Sequence, residues 1–178
     1  MAEGLVPVRW WYRWLFAGLA AALMFLQLLP LSTVAGGLPG PDLLVCLAIA
    51  WVLRRPEYVP ALLIAVVFLM QDLLVMRPPG PWAATVLLGC EVLRRRPLPA
   101  RDVPFVLEWG IVGATLLAMV LAYRLALALA MVPQPGLGLM LVQLVMTVSV
   151  YPAVVFVTQF VFRIRKTAPG ERRLGGVM

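Results

Sequence analysis

Residues 41–57 read PDLLVCLAIAWVLRRPE, and this stretch decides the fold because it places two arginines at one end of an apolar run. The run Leu43–Leu53 is shorter than the about 20 residues of a spanning helix, so a re-entrant or buried segment is an alternative. If the segment turned back, Arg54 and Arg55 would share a side with the uncharged loop Gly36–Gly40 that precedes it. Because Arg-rich loops stay cytoplasmic, we predict a crossing that ends inside the cell.

The same alternation of charge continues outward from this stretch in both directions. Six apolar stretches alternate with short connectors, and thirteen of the fifteen basic residues precede the first stretch or follow the second, fourth and sixth. These residues are Arg9, Arg13, Arg54, Arg55, Arg94, Arg95, Arg96, Arg101, Arg163, Arg165, Lys166, Arg172 and Arg173. The other two are Arg77, in an otherwise uncharged connector, and Arg124, inside a stretch. The distribution predicts six crossings with both termini cytoplasmic.

The chain is therefore predicted to be an all-α integral membrane protein, folded as a six-transmembrane-helix bundle. The predicted spans are about 14–37, 42–53, 59–76, 81–93, 104–132 and 137–162, in a single domain 1–166 followed by a basic cytoplasmic tail 167–178. Locally thinned membrane and long Arg side chains can compensate for the short second and fourth spans. The composition agrees, since 63% of residues are hydrophobic and the mean hydropathy is +0.96, against roughly 45–50% apolar residues in soluble domains.

The positive charge is interpreted as a membrane feature. A pI near 10.4 also suits nucleic-acid binding, but the basic residues lie at membrane borders, where they meet anionic lipid headgroups. At the start of the first stretch, Trp10, Trp11 and Trp14 flank Arg13 as in an interfacial belt. A cleavable signal peptide is the alternative, because Thr33-Val34-Ala35 resembles a cleavage site. The apolar run exceeds the about 7–15 residues of a signal peptide's hydrophobic region, so we expect it to be retained.

The chain lacks the residues that most catalytic sites need. It has no His, a single Lys, two Ser without a neighbouring base, and no Gly-rich phosphate loop. Asp72 is the only Asp well inside a stretch, so an aspartyl dyad within one chain is not expected. We predict no enzymatic activity, cofactor or metal site. Cys46 and Cys90 fall in different halves of the predicted membrane and are interpreted as packing residues rather than a disulfide.

Asp72 is the most informative single residue, because an ionisable side chain inside a membrane is costly and is treated as functional. Our hypothesis is that Asp72 forms an ion pair with Arg124, which lies at a comparable depth in the fifth stretch. Such a pair would fix the packing of the third and fifth stretches. The alternative is that Asp72 reaches the interface near Arg77 and that Arg124 extends to the membrane surface.

Three further acidic residues lie at the predicted borders. Glu91 is three residues before Arg94, and we predict a local salt bridge on one helical face. Glu108, one turn into the fifth stretch, is expected to share the same Arg cluster. Asp42 follows Pro41 at the start of the second stretch, where it is expected to cap the helix, with ligand binding as the alternative.

Small residues recur every four positions in the fifth stretch and allow helix backbones to approach closely. This small-residue ladder is Gly110, Ala114, Ala118, Ala122, Ala126 and Ala130. Its packing partner is either another helix of the chain or a second protein.

In the sixth stretch, Pro152 is predicted to kink the helix and to free the carbonyl of Val148.

Four short segments carry a resemblance to a known family. They are Pro41-Asp42-Leu43-Leu44-Val45, Trp51-Val52-Leu53-Arg54-Arg55-Pro56-Glu57, Gln71-Asp72-Leu73-Leu74 and Pro79-Gly80. With the length, the six spans and the basic tail, they resemble the MreD family of bacterial rod-shape-determining proteins. The chain departs from that family's pattern at Val67-Phe68-Leu69-Met70, where a Gly-rich segment is usual, and at Met76-Arg77, where small residues are usual.

The resemblance implies a non-catalytic scaffold subunit of the cell-wall elongation complex in the bacterial inner membrane. Its partners would be the bitopic protein MreC, the glycosyltransferase RodA with its partner transpeptidase and, indirectly, the filament protein MreB. MreD-like proteins are similar in fold to the substrate-binding subunits of energy-coupling vitamin transporters, so a solute- or vitamin-binding subunit is the alternative. The predicted outer half offers few polar groups for a vitamin, namely Gln27, Asp42, Asp72, Arg77 and Arg124.

Overall fold

The structure, a computed structural model, describes residues 5–29, 40–95, 104–134 and 136–160. Its elements are α1 (Leu5–Leu28), α2 (Leu43–Arg54), a 3₁₀ helix (Pro56–Tyr58), α3 (Ala61–Leu74), α4 (Pro81–Arg95), α5 (Phe105–Leu129) and α6 (Leu137–Phe160). No strand occurs in the four described ranges, and the predicted all-α class is confirmed there. The predicted basic tail 167–178, the final residues 161–162 of the sixth span and the cleavage-like segment 33–35 lie outside the described residues.

Three helices are long and apolar enough to cross a membrane: Arg9–Leu28 within α1, then α5 and α6. The helices α2 and α3 are shorter apolar helices, and α4 has 15 residues. At 1.5 Å per residue α2 is only about 18 Å long, against a hydrocarbon core of about 30 Å. The helix lengths fit a membrane protein with transmembrane helices.

The first helix differs most from its predicted bounds. It begins at Leu5, well before the predicted start near residue 14, so the Trp- and Arg-rich belt is itself helical. It ends at Leu28. The next residue, Leu29, precedes Pro30, and the proline ring sterically disfavours helical backbone angles at the residue before it. Residues 30–37 of that predicted span are outside the described part of the chain.

The short helix α2 is the centre of the bundle. Ten of its twelve residues are buried, as expected for a helix that is apolar on all sides. It packs against α6, α4 and α1, and Trp51 is fully buried with its ring centroid 5.4 Å from that of Phe16. Because protein surrounds α2, the backbone beyond its short helical segment does not have to face lipid.

The helix α5 packs on α4, the helix α6 packs on α2, and the two pack on each other, with one buried stripe on each helix. On α5 the buried stripe is Glu108, Val112, Leu116, Met119, Tyr123 and Leu127. On α6 it is Thr147, Tyr151, Val155 and Thr158. Steps of three and four residues keep each set on one side of its helix. The opposite sides of both helices carry exposed large apolar residues.

Helix ends meet in two groups at opposite ends of α2. At the arginine end, the C-terminal Arg54 of α2 meets Glu108 near the start of α5, and Arg94 at the end of α4 donates to the carbonyl of Val59. At the aspartate end, Asp42 before α2 meets Thr147 of α6, and Asp72 near the end of α3 meets the start of α4. These two ends frame the candidate sites.

Candidate functional site

At the arginine end, a buried ion pair joins three helices. The Nη2 atom of Arg54 lies 3.1 Å from Oε1 of Glu108, and the two side chains are 1% and 2% exposed. The Tyr151 hydroxyl donates to the same Glu108 oxygen at 3.1 Å, and Arg54 also donates to the carbonyl of Ala50. With its amide oxygen towards the guanidinium, Gln159 accepts from Arg54 Nε and Nη2 at 3.2 Å. The ion pair and hydrogen bonds of this cluster connect α2, α5 and α6.

This cluster shows what two of the predicted border residues contact. Glu108, which we expected to share the Arg94 cluster, pairs with Arg54 of α2. Arg54, one of the arginines of the predicted cytoplasmic connectors, is only 2% exposed. The last turn of α2 directs Arg54 into the bundle, while Arg55 remains half-buried and pairs with Glu57 at 3.4 Å. The predicted local pair is confirmed, since Arg94 Nε lies 3.3 Å from Glu91 Oε1.

At the aspartate end, Asp72 caps a helix. Its Oδ2 atom accepts from the backbone N–H of Gly80 at 3.1 Å and of Ala83 at 3.2 Å, across the turn between α3 and α4. The N-terminus of a helix has free N–H groups and a partial positive charge, which stabilise a carboxylate. Gly80, with φ of +107°, provides the left-handed turn before Pro81. Asp72 thus connects α3 to α4.

The hypothesis that Asp72 pairs with Arg124 is therefore wrong. The Nη1 atom of Arg124 contacts Met140 Sδ at 3.1 Å, and its backbone carbonyl accepts from Gln134 Nε2. The hypothesis assumed that a buried carboxylate needs a cation, whereas two backbone N–H groups at a helix start meet part of that need. The other carboxylate oxygen of Asp72, Oδ1, is buried and has no hydrogen-bond partner among the described residues.

Asp42 has the predicted capping role and a second contact. Its Oδ1 atom accepts from Val45 N–H at 3.2 Å, which confirms it as the N-cap of α2. Its own N–H donates to the Thr147 hydroxyl at 3.0 Å, and that hydroxyl donates to the carbonyl of Gln143. Cys46 Sγ donates to the carbonyl of Thr147 at 3.4 Å. These contacts hold the start of α2 on α6.

A cavity of about 370 Å³ lies beside Asp42 at the aspartate end. The connector between α3 and α4, the end of α5 and the first turns of α6 surround it. Its polar lining residues are Asp42, Arg77, Trp82, Tyr123, Gln143 and Thr147. The remaining lining is aliphatic and includes Leu116, Val120, Leu127, Leu139 and Leu144. We call this space the aspartate-end cavity.

The small-residue ladder lies on the surface of the described helices. Gly110, Ala114, Ala118, Ala122 and Ala130 are exposed, and Ala126 is half-buried. The internal stripe of α5 instead uses the larger side chains named above. Ala114, Ala118 and Ala122 line a shallow groove of about 420 Å³, whose other wall is α4 with Leu88 and Val92. Among the described residues no helix covers the ladder, and an intermolecular partner stays a prediction.

Both cysteines are buried and free, which confirms their interpretation as packing residues. No group of three or more Cys, Asp and Glu side chains suited to a metal ion occurs in the part of the chain that the structure describes.

Sequence reasoning missed several polar contacts in α6 and at its proline. Gln143, Thr147 and Tyr151 are spaced four residues apart on an apolar helix, and this periodic polar pattern was a usable signal. The carbonyl of Val148, which Pro152 was predicted to free, accepts from Trp109 Nε1 of α5 at 2.8 Å. Between α1 and α3, Gln71 Nε2 donates to Gln27 Oε1 at 3.2 Å. No sequence signal identified these pairings between helices.

Comparison of the chain with protein-family models, curated proteins and solved structures gives no match.

Proposed function

We propose that the chain is a non-catalytic scaffold subunit of the bacterial cell-wall elongation complex, in the inner membrane. In this proposal six crossings leave both termini in the cytoplasm. The partner is a single-pass protein of the MreC type, with RodA and its transpeptidase alongside and MreB bound indirectly. The proposal starts from the sequence resemblance to the MreD family and requires a surface where a partner helix can pack.

The observation that carries the proposal is the exposed groove between α4 and α5. A helix surface with small residues lets another helix approach closely in lipid, where dispersion and packing drive association. Ala114, Ala118 and Ala122 give one wall of this groove such a surface. Leu88 on the opposite wall is 65% exposed and provides apolar area for a partner. Because larger side chains of α5 make the internal contacts, the ladder is left for a second protein.

The positions of the helix ends support the six crossings. The Arg-bearing ends of α2 and α4 lie with the start of α5 at the arginine end, and the other ends of these helices lie at the aspartate end. A chain that alternates between two ends in this way matches the alternation of charge in the connectors. The buried position of α2 supports a short crossing, because neighbouring helices rather than lipid surround it.

Site-specific photocrosslinking in native membranes tests the scaffold proposal. A photoreactive phenylalanine at position 118 lies in the groove, and the same residue at position 128 provides the control. Ala128 is an exposed alanine of α5 that does not line the groove. We expect a single-pass protein to crosslink at 118 and to give no adduct at 128. Equal adduct at both positions, or copurification without any single-pass protein, would contradict the proposal.

The aspartate-end cavity favours a second candidate function, a solute-binding transporter subunit. Its volume of about 370 Å³ is within the about 300–1,000 Å³ usual for small-molecule sites. Affinity purification of the chain from its native membrane separates the two candidates. Copurifying ATPase subunits would support the transporter role, whereas a single-pass partner without them would support the scaffold.

A further inference from the structure

The lining of the aspartate-end cavity includes one guanidinium, that of Arg77. The guanidinium of Arg77 lies 5.9 Å from the centre of the Trp82 ring. Within the described ranges Arg77 makes no ion pair closer than 4.0 Å. Because the Arg77 guanidinium makes no hydrogen bond among the described residues, a bound acceptor would be favoured here.

The nearby carboxylates are already engaged at helix starts. Asp42 uses Oδ1 to cap α2, and Asp72, which does not line the cavity, uses Oδ2 on Gly80 and Ala83. Asp42 and Arg77 are close enough for their charges to interact, but their side chains form no salt bridge among the described residues. The guanidinium N–H groups of Arg77 therefore remain available as donors. Their planar arrangement matches the oxygens of a carboxylate or a phosphate.

The rest of the lining selects an apolar body. Leu116, Val120 and Leu127 of α5 and Leu139 and Leu144 of α6 line the cavity. The aliphatic carbon of a ligand can pack against these side chains. A small polar solute would leave these aliphatic side chains without apolar contacts. The lining thus combines a long apolar wall with the Arg77 guanidinium, while Asp42 is engaged as the cap of α2.

We propose that the aspartate-end cavity binds one amphipathic organic anion. Its apolar body lies between α5 and α6, and its anionic group accepts hydrogen bonds from Arg77. Two sources share this chemistry: a free long-chain carboxylate, and an anionic phospholipid whose acyl chain enters the cavity. The proposal does not rest on the scaffold role, because the cavity and the groove between α4 and α5 are lined by different residues.

Equilibrium binding to the purified full chain, in nanodiscs of zwitterionic phosphatidylcholine, tests the proposal. The probes are radiolabelled laurate, which has a carboxylate on a 12-carbon chain, and 1-dodecanol, which has the same chain without the charge. We expect saturable laurate binding at one site per chain and at least tenfold weaker binding of dodecanol. Equal affinity for the two probes, or laurate binding that does not saturate, would overturn the proposal.

Variants of Arg77 link this binding to the cavity. Arg77 lies in a half-buried connector position, so Arg77→Gln should fold, and we expect it to weaken laurate binding at least tenfold. Arg77→Lys should retain part of the affinity, because the charge remains. Arg95→Gln, at an exposed position of α4 on the arginine end, is the matched control and should bind as the parent does. Unchanged binding in Arg77→Gln would refute the assignment.

A competition experiment between laurate and an anionic phospholipid distinguishes the two sources of the anion. Nanodiscs in which phosphatidylglycerol replaces part of the phosphatidylcholine should displace laurate if the site takes an anionic phospholipid. Laurate affinity that does not depend on phosphatidylglycerol indicates a free carboxylate. Both results keep the amphipathic anion as the ligand, whereas the dodecanol and Arg77→Gln measurements decide whether such a site exists. Copurification of ATPase subunits is a separate result that concerns the transporter role alone.

Discussion

The buried pair of Arg54 and Glu108 gives the largest predicted loss of stability. The side chains are 1% and 2% exposed and 3.1 Å apart, so Glu108→Ala leaves an arginine without its anion inside the bundle. Breaking a buried pair in this way costs about 3–5 kcal/mol, and the freed Tyr151 hydroxyl falls within that cost. The measurement is the free energy of unfolding, from titration with a denaturing detergent in mixed micelles.

The double variant Arg54→Met with Glu108→Leu should be far less destabilised than Glu108→Ala alone, because no uncompensated charge remains. The adjacent pair of Arg55 and Glu57 is the matched control, since its side chains are 27% and 31% exposed at 3.4 Å. Exposed pairs contribute about 0–1 kcal/mol, so Glu57→Ala should change little. If Glu108→Ala costs no more than Glu57→Ala, the assignment of Arg54 to a buried ion pair is refuted.

Three further predictions follow from single contacts, each measured by the same unfolding titration. Asp72→Ala should lower the free energy of unfolding by about 0.5–2 kcal/mol, because it removes the cap of α4. Asp72→Asn should lower it less, because the amide oxygen still accepts a hydrogen bond. Equal losses in the two variants would argue against capping. Trp109→Phe should lower the free energy of unfolding by about 0.5–1.5 kcal/mol, because the Val148 carbonyl loses its donor, and an unchanged stability would count against that bond. Met76→Gly should stabilise the chain by up to about 1 kcal/mol, since Met76 has φ of +55° where glycine is favoured, and a net loss would contradict this expectation.

Contacts between residues close in sequence were predictable. Asp42 caps α2 through Val45, three residues away, and Glu91 pairs with Arg94 at the same spacing. Helical geometry fixes such neighbours before any tertiary structure is known. The apolar stretches likewise predicted the helices, because buried and lipid-facing helices both need long apolar runs. For this reason the number and approximate positions of the helices could be read from the sequence.

Contacts between distant residues were not predictable from spacing or charge alone. Glu108 and Arg54 are 54 positions apart, and nothing in the sequence indicates that Arg54 rather than Arg55 turns inward. Asp72 was matched to a cation because electrostatic reasoning counts charged side chains and overlooks the N–H groups at a helix start. The sequence did not show whether the small-residue ladder of α5 faces another helix or the surface. That depends on which helices pack against α5 in the folded chain.

The central claim is that the connectors at the arginine end and those at the aspartate end lie on opposite sides of the membrane. Labelling of single cysteines in intact cells tests this claim most directly. In a background of Cys46→Ala and Cys90→Ala, the test positions are Met76 and Met131, which are 94% and 92% exposed, and the exposed Arg95. We predict that a membrane-impermeant maleimide labels Met76→Cys and Met131→Cys in intact cells, and labels Arg95→Cys only after the membrane is opened. Labelling of Arg95→Cys in intact cells to the same extent as Met76→Cys would contradict the account.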